Sequence, residues 1–500
     1  MICRVHTGIP GSGKTLAQLS RVVEAPGCHL IAVPRVDLVD EFDAQIRTLV
    51  GGHRPGLSVV PIHSRQNGER AGVRRRLDDA LIRPTSGDAH IVVLATHEAL
   101  FGIDPARLDG VHIAIDEVPD CAVLSGQFIG LTASYALERL YDLAPIGESS
   151  PWNSVSARPG VELVAPSARA VEAKDLAAFL KAASNPTRVT LVDIAAWDDA
   201  RTPRRYVRWW SVWTPMTLRQ AASVSIAGAG FQRSLLFHAC RAIHGDDLIF
   251  EPEKHATTIT RAQPEVMIAY FAGHRGSTEW WASDAGSRCL VQISRYLEGV
   301  RFQGYWGCNE VIRPYFLHRI GGEACPPRMS GTNSLRQHQE CCMIYSNKAR
   351  AEDTAVLDAL GLDREAITQA REHEDLVQFV MRGAIRDPSF GGRYLIYVYS
   401  VDQAEALRDE LVENGITDRV EVRAIVEAGI LDVRRPTGAR GATAEPTPTR
   451  PTKPAILREQ QLERDRLCAR ERRAALRAQR KVEGTYRPPG RPVTEAFGSD

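Results

Sequence analysis

The chain contains 500 residues, 44% of them hydrophobic and 25% charged, which is the composition of a globular protein long enough for two to four domains. Its formal net charge is +1, and this near balance argues against a histone-like protein that coats nucleic acid along its whole length. Ten cysteines without a CxxC pair argue against a disulfide framework, and the lack of a long apolar run in the sequence predicts a cytoplasmic protein with no membrane partner.

Short apolar runs alternate with helical patterns over the first part of the chain. The runs that read as strands buried on both faces are Ile2–His6, His29–Val33, Leu57–Ile62, His90–Ala95 and Val111–Ile115. Leucines and valines recur at helical spacing between the first two runs. Strands that alternate with helices predict βαβ units, and therefore an α/β domain built on a parallel sheet.

An accessory segment separates this region from a second α/β series. A Pro- and Ser-rich stretch precedes a helical pattern near Lys174–Ala183 and a strand pattern at Arg188–Ile194. The apolar runs that predict strands in the second series are Ser223–Ala227, Val266–Phe271, Cys289–Ile293, Gly304–Gly307, Cys341–Tyr345 and Tyr394–Tyr399. Helices are predicted over Leu376–Ile385 and Gln403–Asn414. We therefore expect two α/β domains, at residues 1–133 and 218–432, with an inserted subdomain at 134–217.

The remaining residues, 433–500, form a basic tail. A Pro-, Thr-, Gly- and Arg-rich linker opens it and is too poor in apolar residues to fold, and a charged helical pattern follows. From Arg434 to Asp500 the sequence has 16 basic and 8 acidic residues, so this part carries a charge of +8 and the rest of the chain −7. Two interpretations remain open: a solvated single helix, or a tether to the phosphates of nucleic acid.

The strongest motif lies directly after the first predicted strand. The segment Gly8–Thr15 fits the pattern G-x-x-x-x-G-K-[ST] and opens a predicted helix. Glycines allow main-chain N–H groups to converge on phosphate oxygens, the lysine neutralises phosphate charge, and the threonine hydroxyl binds Mg²⁺. The candidate phosphate-binding residues are Gly8, Pro10, Gly11, Ser12, Gly13, Lys14 and Thr15.

Two acidic residues follow the fifth predicted strand. Asp116 would hold the Mg²⁺ shell together with Thr15, and Glu117 would orient or deprotonate the attacking water. An apolar strand that ends in acids is common by itself. Its position downstream of a phosphate-binding loop favours the catalytic interpretation.

The segment Asp116–Pro119 resembles the DExx box of superfamily 2 helicases and translocases. Other segments resemble the motifs of that family in the same order. Pro34 and Arg35 fall in a stretch similar to the segment that touches the nucleic-acid backbone, and Thr96 and His97 fall in one similar to the stretch just before the DExx strand. The resemblance implies that these four residues face nucleic acid.

The resemblance continues in the second half of the chain. Gly331 and Asn333 resemble the late glycine-containing segment that senses nucleotide. Gln378, Arg382 and Arg386 resemble the Q-x-x-G-R-x-x-R arginine segment, although Met381 replaces the glycine and the second arginine comes one residue late. On a helix the three side chains would share one face, which could bring a guanidinium to the γ-phosphate from the second domain.

Two further clusters have competing interpretations. Tyr206–Trp213 interleaves aromatic residues with arginine, as platforms for single-stranded nucleic acid do, but it also fits a strand buried on both faces, which we favour. A cluster of four residues suggests zinc but lacks a CxxC knuckle, so buried thiols are favoured. Its members are Cys325, His338, Cys341 and Cys342.

The leading hypothesis is an ATP-dependent nucleic-acid translocase or helicase of phage or mobile-element style. The resemblance implies two RecA-like domains that bind ATP and Mg²⁺ in the cleft between them and move along single-stranded or forked DNA, with replication or packaging proteins as further partners. The alternative is a phage-type assembly or secretion ATPase, which has a similar phosphate-binding loop. A third possibility is a nucleotide-gated binding protein with little turnover.

Overall fold

The structure is a computed structural model that describes most of the first 434 residues. The described residues are 1–8, 11–51, 56–65, 71–82, 90–129, 137, 139–146, 150, 152–159, 171–198, 206–228, 230–254, 261–328, 334–349 and 353–434. Residues 435–500 of the basic tail and three predicted site residues, Pro10, Gly331 and Asn333, lie outside them.

The strands of the described residues form three sheets. In chain order the strands are β1 (Ile2–Thr7), β2 (Cys28–Val33), β3 (Leu57–Pro61), β4 (His90–Thr96), β5 (Val111–Asp116), β6 (Val123–Ile129), β7 (Tyr141–Pro145), β8 (Trp152–Ala157), β9 (Arg188–Asp193), β10 (Tyr206–Trp213), β11 (Ser223–Ala227), β12 (Ile249–Lys254), β13 (Glu265–Ala272), β14 (Tyr305–Cys308), β15 (Glu323–Ala324), β16 (Glu340–Ile344), β17 (Arg393–Ser400) and β18 (Val420–Ala424).

Helices connect these strands. Their bounds in the described residues are Lys14–Glu24, Val36–Leu49, Ala71–Ile82, His97–Leu100, Val171–Ala183, Ile194–Asp198, Leu235–His244, Thr278–Trp281, Asp284–Gly299, Thr354–Leu360, Arg364–Thr368, Glu374–Val380 and Val401–Glu413. None of the helices in this part of the chain is both long and apolar enough to cross a membrane.

The first sheet is parallel, with the order β12-β1-β11-β5-β2-β4-β3. All six residues of β2 are buried because β4 and β5 flank the strand and helices cover the sheet, which explains why five of the six are apolar. The predicted α/β class and the first five strands are confirmed.

The predicted start of the second domain at residue 218 is wrong, because β11 and β12 belong to the first sheet. The first strand of the second sheet along the chain is β13. β11 lies between β1 and β5, and β12 pairs with the outer side of β1. The chain leaves the first sheet after β5 and returns at β11, once the accessory strands are complete. Apolar runs reveal a strand but not its neighbours, so the sequence could not show this return.

The inserted subdomain is an antiparallel sheet with the order β6-β10-β9-β8-β7. It begins with β6, at Val123, and so earlier than the predicted residue 134. Trp209 and Trp210 of β10 are 3% and 2% exposed, as in a strand buried on both faces. The favoured interpretation of Tyr206–Trp213 is therefore confirmed.

The second sheet is also parallel, with the order β15-β14-β16-β17-β13-β18. The predicted strand at Cys289–Ile293 is wrong, because these residues belong to the helix Asp284–Gly299. The Ser283 hydroxyl caps this helix by accepting from the Gly286 N–H at 3.1 Å. The buried side chains recur at helical spacing, so this apolar run is one face of a helix.

The accessory sheet packs against both parallel-sheet domains. One hydrophobic cluster joins Trp210 and Val212 of β10 to Ala239 of the first domain and to Val356 and Ile367 of the second. Nearby, the Ser125 hydroxyl of β6 donates to Asp353 at 2.9 Å, and Asp353 also accepts two hydrogen bonds from Arg371. The insertion therefore connects the two domains that it adjoins.

Candidate nucleotide-binding site

The loop after β1 has the backbone that close approach to phosphate requires. Gly8, Gly11 and Gly13 have φ angles of +146°, +82° and +84°, which side chains with a Cβ rarely adopt. Gly13 is the N-cap of the helix Lys14–Glu24, so the loop delivers main-chain N–H groups at a helix N-terminus. Among the described residues, no side chain caps that end of the helix.

Lys14 lies inside this loop. Its ammonium donates to the Gly8 carbonyl at 2.5 Å and to the Ser12 hydroxyl at 3.4 Å. Burial lowers the pKa of Lys14 to about 8, and the charges of Asp116, Glu374 and Glu117 oppose this shift. The amine is therefore a desolvated cation surrounded by carboxylates, which suits a strong interaction with an incoming phosphate.

Thr15 and Asp116 meet where the loop faces the end of β5. The Thr15 hydroxyl donates to Asp116 Oδ1 at 2.8 Å. Asp116 is 6% exposed, and burial raises the pKa of its carboxyl above the ordinary value. The hydroxyl and the carboxylate are both oxygen donors of the kind that Mg²⁺ accepts. Magnesium at nucleotide sites takes few protein ligands and completes its shell with phosphate and water, so these two residues fit it.

Glu117 adopts an unusual backbone conformation beside Asp116. Its φ of +63° lies in the left-handed region, which costs a non-glycine residue about 1 kcal/mol. Its carboxylate raises the pKa values of Lys14, Arg382 and Arg386, and it therefore lies within electrostatic range of all three cations. Glu117 therefore interacts electrostatically with cations of both domains.

Arg386 of the second domain lies against the phosphate loop of the first. A Cβ built on Gly11 would lie 3.0 Å from Arg386 Cγ and 3.5 Å from its Nε, so a side chain at this position would crowd the arginine. Burial lowers the pKa of Arg386, and its Nε is buried without a hydrogen-bond partner among the described residues. The structure thus brings this predicted residue to the loop.

The expected common helix face of Gln378, Arg382 and Arg386 is wrong. The helix Glu374–Val380 ends before Arg382, and Arg386 lies in a separate 3-10 turn, residues 384–386. Gly383 between them is extended, and a Cβ built there would lie 2.1 Å from Tyr394 Oη. The helix is terminated by contacts from β17, which a local pattern does not reveal.

Gln378 and Arg382 consequently have other partners. The Gln378 amide donates to Glu374 at 3.0 Å. Arg382 is 5% exposed, and its guanidinium lies 3.5 and 3.4 Å from the carbonyls of Pro326 and Pro327 and over the ring of Phe379. The structure places these two side chains within the second domain.

Three charged residues that the sequence did not indicate join the two domains. Arg233, which follows β11, donates to both carboxylate oxygens of Glu410 at 2.7 and 2.9 Å. Its guanidinium also lies 3.8 Å from Glu374, whose pKa is raised by burial. Glu374 lies one helical turn before Gln378 and accepts its hydrogen bond. This spacing is the only feature of the sequence that could have indicated Glu374 as a member of the site.

The residues proposed to face nucleic acid separate into two groups. β2 and β4 are neighbours and pair Val33 with Thr96, so Pro34, Arg35 and Thr96 lie at one edge of the first sheet. All three are half-buried. Their position at the carboxyl ends of parallel strands is the usual place for a ligand.

His97 is in the interior, which corrects its proposed contact with nucleic acid. It is 4% exposed, and its Nε2 donates to the main-chain oxygen of Asp116 at 2.9 Å. Burial lowers the pKa of His97 to about 4, so the ring is neutral at pH 7. His97 therefore supports the strand end that carries the acidic pair.

The cysteine cluster has no metal-binding geometry. Cys325, Cys341 and Cys342 are buried, and burial raises the pKa of Cys325 to about 11 and that of Cys341 to about 12. Across the described residues, no group of three or more metal-ligating side chains could hold an ion. These thiols pack in the cores on the two faces of the second sheet.

Comparison with known proteins gives similarity of structure alone. No protein-family model and no curated protein matches the sequence. The solved structure "XPD_APO" is 12% identical, with 85% of this chain and 97% of that chain covered and a TM-score of 0.49. "XPD_Helicase" is 11% identical over 85% and 96%, and the S. tokodaii Xpd4 structure is 10% identical over 84% and 95%, both with TM-scores of 0.45. At these identities the similarity concerns the course of the chain and not its activity.

Proposed function

We propose that this protein is an ATP-dependent nucleic-acid translocase or helicase. The observation that carries the proposal is the contact between two domains at one phosphate loop: Arg386 of the second lies across Gly11 of the first. Lys14 and the Thr15–Asp116 pair complete the same site. A site divided between two parallel-sheet domains can couple hydrolysis to their relative movement.

Each residue has a proposed role. The loop N–H groups and Lys14 bind the β- and γ-phosphates of ATP, and Thr15 and Asp116 hold Mg²⁺. Glu117 orients the attacking water, and Arg386 neutralises the charge that develops on the γ-phosphate. Pro34, Arg35 and Thr96 belong to the surface that contacts the nucleic-acid backbone. Gln378 and Arg382 orient the arginine segment from within the second domain.

ATP hydrolysis by the full chain, with and without a single-stranded DNA oligonucleotide, tests the proposal. We expect hydrolysis to rise when DNA is added. Lys14→Ala should lower the rate by on the order of 10²–10³-fold, because it removes the cation that meets the phosphates. Lys181→Ala, which affects a lysine in an exposed pair with Glu98, is the matched control and should leave the rate unchanged.

The other outcomes separate the competing functions. Turnover that depends on Lys14 but does not respond to DNA would support the assembly-ATPase alternative. Negligible turnover by the wild-type chain, with nucleotide still bound, would support a nucleotide-gated binding protein. DNA-stimulated hydrolysis that persists in Lys14→Ala would refute the assignment of the site.

A further inference from the structure

Arg386 lies against the phosphate loop, with its Cγ 3.0 Å from a Cβ built on Gly11. Its Nε is buried without a hydrogen-bond partner in the described part of the chain, and the neighbouring charge of Arg336 lowers its pKa further. The residue lies at the end of a single 3-10 turn, and such a turn leaves its last carbonyl groups without partners inside the helix. A cation that must meet a phosphate needs its main chain held from elsewhere.

The preceding helix end is held by buried tyrosines. The Tyr305 hydroxyl donates to the carbonyl of Phe379 at 2.8 Å, and the Tyr394 hydroxyl donates to the carbonyl of Val380 at 3.1 Å. These contacts satisfy the last carbonyls of the helix Glu374–Val380. They stop short of the turn that carries Arg386.

Arg261 donates hydrogen bonds to the last two carbonyls of the 3-10 turn that carries Arg386. Its Nη1 donates to the Ile385 oxygen and its Nη2 to the Arg386 oxygen, both at 3.0 Å. The planar guanidinium presents two donors in a fixed geometry, so it can bridge adjacent carbonyls in a way that a lysine ammonium cannot. The side chain is half-buried, and burial lowers its pKa.

The contact also joins the turn to the point where the chain enters the second sheet. Residues 255–260 connect β12 of the first sheet to Arg261, and β13 of the second sheet begins four residues later. Main-chain hydrogen bonds continue the contact: the Ala262 N–H donates to Pro388 at 2.8 Å, and the Glu265 N–H donates to Gly392 at 3.0 Å. The 3-10 turn that carries Arg386 is therefore attached to the segment that leads into the second sheet.

We propose that Arg261 is a positioning residue that holds the main chain of Arg386 against the phosphate loop. The proposal rests on the proposed function, because it assigns Arg261 a part in the same hydrolysis. Arg261 acts through Arg386, whose main-chain carbonyl accepts one of its two hydrogen bonds. A misplacement of about 1 Å at a catalytic group can cost on the order of 10²-fold in rate, so the two hydrogen bonds should matter to turnover.

The test compares Arg261→Met, Arg261→Lys and a control, Arg393→Met, in the full chain. Arg393 is an exposed arginine of the same sheet, 3.9 Å from Glu265, and its loss should leave turnover unchanged. We expect Arg261→Met to lower kcat by about 10- to 100-fold while the Kd of a fluorescent ATP analogue changes less than about threefold. Arg261→Lys should fall between wild type and Arg261→Met, since an ammonium can satisfy one carbonyl but not both.

A double variant separates positioning from general stabilisation. If Arg261 acts through Arg386, the variant with both Arg261→Met and Arg386→Met should be no slower than Arg386→Met alone. Equal factors of loss in the wild-type and Arg386→Met backgrounds would overturn the proposal. The proposal would also be overturned if Arg261→Met lost thermal stability while its kcat stayed that of the wild type.

Hydrogen exchange gives a readout that does not depend on turnover. We expect Arg261→Met to increase exchange in peptides that cover residues 381–390 and to leave the helix Asp284–Gly299 unaffected. Unchanged exchange in 381–390 would overturn the proposed contact even if the protein hydrolyses ATP. If the wild-type chain does not hydrolyse ATP, the proposed function fails, whereas increased exchange would still show that Arg261 holds the arginine turn.

Discussion

At the level of single residues, the site keeps charged groups away from water and close to groups of opposite sign. Lys14 shows the consequence: burial favours its neutral form, whereas three carboxylates favour the charged form. An arriving phosphate supplies further negative charge and should therefore raise the pKa of the amine. Under the proposed function, the cost of burying this cation in the free protein becomes part of the affinity for nucleotide.

His97 makes the stability of the protein depend on pH. The ring is neutral in the folded state, with a pKa of about 4, whereas the unfolded chain binds a proton near pH 6.5. Stability is therefore lost as the pH falls below 6.5, and the loss levels off near pH 4. At pH 5 this residue should account for about 2 kcal/mol of lost stability.

Urea unfolding of the wild type and of His97→Gln at pH 7.5 and pH 5 measures this effect. Glutamine can still donate to the Asp116 carbonyl but does not titrate. The variant should therefore lose about 2 kcal/mol less than the wild type between the two pH values. His29, whose pKa burial also lowers to about 4, stays in both proteins, so its contribution cancels. Equal losses in the two proteins would show that His97 does not titrate as expected.

At the level of elements, the sequence predicted features whose cause is local. The phosphate loop and the β5 acids were predicted because glycine spacing and an apolar strand are visible in a short window. The end of the helix Glu374–Val380 was missed because Tyr394, in a strand further along the chain, occupies the space beside Gly383. Arg261 was missed for the same reason, because its carbonyl partners lie 124 and 125 residues away.

The contact between Arg233 and Glu410 joins elements from the two domains. Its partners are 177 residues apart, and the Arg233 side chain is 42% exposed, so solvent screens the pair. A double-mutant cycle of Arg233→Met and Glu410→Gln should therefore give a coupling energy of only about 1 kcal/mol. Nucleotide affinity should respond more clearly, because the pair holds the domains together beside the phosphate loop.

We expect either substitution to raise the KM for ATP several-fold and the double variant to resemble the single ones. Arg408→Met is the control, because Arg408 is on the same helix as Glu410 but pairs with the adjacent Asp409. Steady-state hydrolysis over a range of ATP concentrations measures the effect. A KM that is the same in Arg233→Met and in wild type would contradict a role for this contact in closing the cleft.

At the level of the whole molecule, the accessory sheet is packed into the same structure as the two domains whose relative movement the proposed function requires. The cluster around Trp210 contains side chains from all three parts, including Ile367 of the second domain. Movement of one domain must therefore either carry the insertion with it or separate these apolar surfaces.

Truncation of Ile367 tests that coupling. Ile367→Ala should cost about 2–5 kcal/mol, since a fully buried isoleucine leaves a cavity. Ile293→Ala is the matched control, because Ile293 is equally buried but lies in the second domain's own core. Both variants should lose stability, yet hydrogen exchange in β10 should increase only in Ile367→Ala. Equal exchange in β10 in the two variants would show that the insertion is not coupled through this cluster.

The uneven distribution of charge along the chain bears on nucleic-acid binding. Residues 434–500 carry +8 and the rest of the chain −7, so a net charge of +1 does not argue against a nucleic-acid partner.

If the tail binds phosphates, its deletion should weaken binding to single-stranded DNA. It should also flatten the dependence of the binding constant on salt, by about 0.7 in the log–log slope for each phosphate that the tail neutralises. Basal ATP hydrolysis should be unchanged, because the site residues all precede the tail. Fluorescence anisotropy between about 50 and 200 mM salt measures both quantities, since phosphate binding weakens strongly over roughly this range. Identical affinity and slope in the truncated chain would favour a solvated helix over a tether.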